Sequence, residues 1–118
     1  VFVYLNDNDI QQVIEEINLL STDNTVIYIR ETISKLDTRL TLKDFYSNDL
    51  EEEYNAIYRT NNEYLEFFSN FNNKTIFKTN EIFNSTNKHK ETGYRYYIIK
   101  WLKWFLNQCI LVNMILMN

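Results

Sequence analysis

The side chains able to do chemistry in this chain are few, and their spacing limits what they can do. His89 is the one histidine and Cys109 the one cysteine. His89 stands in the stretch Asn-Lys-His-Lys, where two lysines disfavour its protonated form and an exposed loop residue is the simpler reading. Cys109 lies among Leu106, Ile110 and Leu111, an apolar setting that keeps a thiol protonated and inert. A metal site would need His89 to be joined by carboxylates alone, and no spacing suggests it. Glu51, Glu52 and Glu53 could pair carboxylates for acid–base work. At the start of a helix they are more simply a first turn matched to the helix dipole. A phosphate-cradling loop needs glycines for close backbone approach, and Gly93 is the only glycine. The reading is a non-enzymatic protein with no catalytic, cofactor-binding or metal-ligating residues.

The pattern closest to a functional signal is the basic, aromatic run of Lys88, Lys90, Tyr94, Arg95, Tyr96, Tyr97, Lys100, Trp101, Lys103 and Trp104. Bound to nucleic acid, it would set cations on phosphate and rings on bases. The acidic remainder of the chain disfavours that use. At a membrane, Lys and Trp would flank the apolar run from Phe105 to Met117. Against a protein, the same rings would form an interface. By elimination the leading expectation is a protein-binding domain, either an antagonist or effector of a host protein or a small subunit of a larger assembly. Its expected contact residues are Tyr58 and Tyr64 on one helix, or Trp101 and Trp104 on the last. The alternative is an accessory subunit associated with a membrane through a Lys/Trp-flanked apolar helix over 94–117. A second copy of the chain is also an admissible partner.

Composition bounds the elements that would position these residues. Residues with AT-rich codons dominate, with 17 Asn, 13 Ile, 9 Tyr and 8 Phe, against one Gly, one Ala and no Pro. This is the mark of a very AT-rich genome, so abundant Asn is no sign of disorder. The 118 residues, 45% hydrophobic and 16% aromatic, suit a single folded domain over 1–118. One cysteine allows no internal disulfide. The net charge of −4 is split: residues 1–70 carry 14 acidic and 5 basic side chains, residues 71–118 carry 2 and 7. Two halves that attract each other within one fold is the simpler reading of that split; a basic surface for a membrane or an acidic partner is the other.

Asn, Asp, Ser and Thr clusters at 6–9, 21–25, 47–49, 69–75 and 84–88 serve as punctuation. Ile10, Val13, Ile14, Ile17 and Leu20 fall on one helical face, with Asn8 as cap. Val26, Ile29, Ile33, Leu36 and Leu40 line another helix over 25–40, although Val1–Leu5 and residues 25–31 would also suit strands. A third helix is expected over 49–71, capped by Asn48 with Glu51 and interrupted on its aromatic face by Asn61. Weaker patterning covers 75–84, and the last helix runs over 94–117. The expected fold is therefore mainly α, a compact four- to five-helix bundle with at most one short strand pair near the N-terminus. Its core would centre on Tyr54, Ile57, Leu65, Phe68, Ile99, Leu102 and Phe105. No family's diagnostic residues are present. In outline alone such a chain is similar to viral Bcl-2-like proteins, whose Asn-Trp-Gly-Arg groove motif it lacks.

Overall fold

The computed structural model describes residues 2–47, 52–82 and 91–101. A short 3-10 turn, Phe2–Tyr4, leads into helix α1, Asp7–Leu20. Asn6 caps it, its side chain accepting from the Asp9 N–H at 2.8 Å, and Asp7 and Asp9 suit the positive end of the dipole. Ile10 and Ile14 are fully buried, with Val13 and Ile17 packed beside them, as the 3.6-residue period requires. Then come strands β1, Ile27–Ser34, β2, Leu40–Ser47, and β3, Glu52–Tyr58. Helix α2, Asn61–Phe68, is followed by β4, Lys74–Ile82, and β5, Thr92–Trp101.

The strands form two antiparallel sheets, one ordered β1-β5-β4 and the other a β2–β3 ribbon. The ribbon joins the larger sheet where the Ser34 N–H donates to the Arg59 carbonyl at 2.8 Å. Register sorts the side chains of the larger sheet. Ile27 pairs with Ile99, Ile29 with Tyr97, and Glu31 with Arg95, so these residues share the inner face. Both helices pack there, with Phe2, Ile10, Ile14, Tyr64, Phe68 and Tyr97 in one cluster. The Phe68 ring meets Tyr97 edge-on at 4.9 Å. In a chain almost without glycine, the turn before β4 uses Asn73 at φ 56°, a left-handed conformation that Asn tolerates better than most residues.

The expected four- to five-helix bundle is thus corrected: the described residues form two helices and five strands in a mixed α/β fold. With the bundle goes the outline similarity to Bcl-2-like proteins. Only the first helix stands where the sequence places it, with its cap two residues earlier than Asn8. The helix expected over 25–40 is β1, a turn and the start of β2, so the strand alternative at 25–31 is the correct one. At the N-terminus, Phe2–Tyr4 form the 3-10 turn rather than a strand. The helix expected over 49–71 divides into β3 and α2, and 75–84 is mostly β4. The helix over 94–117 cannot start at Tyr94, because β5 extends through Trp101. The remainder of that segment lies outside the described residues.

The physical reason lies in the sheet. β5 is its central strand, flanked on both edges and carrying apolar side chains on both faces, so it lacks the alternation by which a half-exposed strand is recognised. Among the described residues no helix is long and apolar enough to cross a membrane. Of the expected core, Phe68 and Ile99 are buried, while Ile57 and Leu65 are partly so. Leu102 and Phe105 lie outside the described residues, as does the side chain of Tyr54.

Candidate binding face

Polar or aromatic groups gather most in a cleft between the helices and on the outer face of the larger sheet. In the cleft, Arg59 is fully buried at the end of β3. Its guanidinium donates to Asp7 Oδ1 at 2.9 Å, to the Phe2 carbonyl at 2.9 Å and to the Leu5 carbonyl at 2.7 Å. Arg39 reaches the other Asp7 oxygen at 3.2 Å and pairs with Glu63. Glu63 also closes a capping box at the start of α2. Its carboxylate accepts from the Thr60 N–H at 3.1 Å, while Thr60 Oγ1 accepts from the Glu63 N–H at 3.2 Å.

Desolvation pushes the Asp7 carboxyl upward. The hydrogen bonds and charges of Arg59 and Arg39 outweigh it and hold the group below its ordinary value. The space beside this cluster, about 240 Å³, is lined also by Gln11, Glu66 and Phe67. A general acid or base working near neutrality needs a carboxyl raised toward 7, and here Asp7 is shifted the other way. The cluster ties the N-terminal turn, β3 and α2 together, and that is the work its geometry fits. A second polar cleft joins Lys35, Asp37, Asn61, Glu81 and Arg95, and the Ser34 hydroxyl on its wall donates to the Thr38 carbonyl at 2.8 Å. Among the described residues no three His, Cys, Asp or Glu side chains converge as metal ligands.

The outer face differs in character. Register places Tyr28, Arg30 and Thr32 of β1, Tyr94, Tyr96, Ile98 and Lys100 of β5, and Lys78, Asn80 and Ile82 of β4 on the side away from the helices. A bulge after Ile76 brings Lys78 opposite Ile98, so that Phe77 and Lys78 stand together on this side. The rings are organised: Tyr28 stacks on Tyr96 at 6.2 Å, Arg30 lies 5.9 Å over Tyr94, and Lys100 sits 4.1 Å over Phe77. Tyr28 is 60% and Phe77 44% exposed. Exposed rings in contact with one another are a surface feature that a monomer's core does not require.

The sequence-derived contact residues are scattered. Tyr64 is fully enclosed, stacked on Phe68 at 5.7 Å, and offers no surface. Tyr58 is half-buried at the end of β3, opposite Leu40, and Trp101 is half-buried at the end of β5, opposite Lys74. The structure brings neither into the outer-face group. Trp104, His89 and Cys109 lie outside the described residues. Tyr94, Tyr96 and Lys100 are visible in the basic, aromatic run. Tyr28, Arg30, Phe77 and Lys78 escape sequence reasoning, because only strand pairing carries them to the same face. No alternation marks the face in sequence, because β5 carries apolar side chains on both sides.

Asn61, read from sequence as an interruption, has a definite role: its side-chain oxygen accepts from the Tyr97 hydroxyl at 2.8 Å. Burial, with Arg95 opposing and Glu31 adding to it, pushes the Tyr97 hydroxyl up to about 12. Burial raises Tyr64 further, helped by Glu31 and opposed by Arg59. No described group meets its hydroxyl in ordinary hydrogen-bond geometry. No protein-family model matches the chain, and neither the curated proteins nor the solved structures give a significant match.

Proposed function

We propose that this is a non-enzymatic protein-binding domain whose contact surface is the outer face of the β1-β5-β4 sheet. One observation carries the reading: the described helices cover only the inner face, while the outer one presents Tyr28, Tyr94, Tyr96, Ile98 and Phe77 together. Tyr and Phe supply large contact area at low conformational cost, and interfaces are enriched in them. The engaged state of Asp7 and Glu63 supports the non-enzymatic part, because the carboxylates best placed in a cleft are already bound by arginines.

The test compares wild type with a Tyr28→Ser/Tyr96→Ser variant, each used as bait in native cell extract. Wild type should enrich a defined partner, and the variant should lose it while its far-UV CD spectrum stays unchanged. A partner retained at the wild-type level would place the contact elsewhere. Bait recovered with nothing enriched would remove the support for a binding function.

A further inference from the structure

Resting on that reading, we infer that the outer sheet face takes an acidic protein segment, one that sets carboxylates against Arg30 and Lys78 and apolar or aromatic side chains among the tyrosines. The argument begins with charge. The chain is acidic overall, at −4. At the outward positions of the three described strands stand Arg30, Lys78 and Lys100, and none of those positions holds Asp or Glu. Glu31, Glu81 and Arg95 belong to the opposite face by register. A locally cationic surface on an acidic protein selects anionic partners and steers their approach.

The rings decide which kind of anion. A base stacks on an open aromatic face. Here Arg30 already lies over Tyr94, Lys100 over Phe77, and Tyr28 and Tyr96 occupy each other. One face of each ring is thereby taken, and the ring edges and hydroxyls beside Arg30 and Lys78 suit protein side chains better than a stacked base. Arg30 and Lys78 are both exposed, so a carboxylate can approach either from the solvent side.

The experiment is titration calorimetry of the full chain with a random Glu/Tyr copolymer, and separately with oligothymidylate. Saturable binding to the copolymer is expected, and its absence would overturn the inference. Binding should weaken about tenfold in Arg30→Gln/Lys78→Gln and persist in Arg30→Lys/Lys78→Arg, which keeps both charges. Lys35→Gln, a charge change off this face, should bind as wild type. Tighter binding to oligothymidylate, lost in the Gln variant, would overturn the inference in favour of nucleic acid. Should Tyr28→Ser/Tyr96→Ser lose the copolymer while Arg30→Gln/Lys78→Gln keeps it, the face survives as a binding surface and the acidic partner does not. Copolymer binding indifferent to both variants would overturn the inference and the surface together.

Discussion

Arg59 carries more of this structure than its place in the sequence suggests. It follows a strand, carries no motif, and stands fully buried with its guanidinium divided among Asp7 and two carbonyls of the N-terminal turn. A planar fork with five donors suits that division, and a lysine ammonium would not span the three acceptors in the same geometry. Removing it leaves the Leu5 carbonyl without its donor and the Phe2 carbonyl with the Leu5 N–H alone, while Asp7, half exposed, can regain water. Arg59→Met should therefore destabilise the fold by about 3 kcal/mol. Asp7→Asn, which keeps both carbonyl bonds but removes the charge facing a buried guanidinium from its half-exposed side, should cost less, about 1 to 2 kcal/mol. Urea midpoints for the two variants test this, and equal losses would mean that the ion pair, not the carbonyl bonds, anchors the turn. Nothing in the sequence exposes this residue, because its partners lie 52 to 57 positions away.

At the scale of elements, local signals are readable where the element satisfies itself and hidden where the sheet does so. Helix α1 shows its period in Ile10, Val13, Ile14 and Ile17, yet the sequence reading puts its cap at Asn8, two residues late, where Asn6 makes the bond. Thr60-Asn61-Asn62-Glu63 is a capping box ahead of Tyr64 and Leu65, a signature submerged in the long helical pattern around it. β5 is unreadable for the opposite reason: its partners are distant in sequence and its two faces are both apolar. The cap assignment separates the two asparagines. Asn6→Ala should cost about 1 kcal/mol, because the Asp9 N–H loses its acceptor. Asn8→Ala, within the first turn and exposed, should be neutral or slightly stabilising through helix propensity. Thermal midpoints of both variants check it; the reverse order would move the start of the helix to the position read from the sequence.

Over the whole molecule, the sequence's charge division turns into a division between faces. Arg95 stands opposite Glu31 and Glu81 on the inner side, Lys74 is buried with its ammonium on the Thr22 and Thr25 carbonyls, and Lys78 and Lys100 remain on the outer side. The inner side is thus where burial meets ionisable groups, and it holds the hydroxyls of Tyr64 and Tyr97. Both are held above the ordinary tyrosine value near 10, Tyr97 at about 12. The raised pKa fixes the sign. Below about pH 10 both states keep these protons, and stability is whole. Between about 10 and 12 the unfolded chain releases protons that the native state retains, so each tyrosine removes about 1.4 kcal/mol per pH unit. Urea midpoints should accordingly fall steeply across that window, with the last tyrosinate absorbance appearing only as the fold is lost. The decisive comparison is Tyr97→Phe. That variant begins less stable, having lost the hydrogen bond to Asn61, but its midpoint should decline with the shallower slope of one buried hydroxyl fewer. Parallel declines in the two proteins would mean that Tyr97 ionises as freely in the fold as outside it, and that the inner face is wetter than its packing indicates.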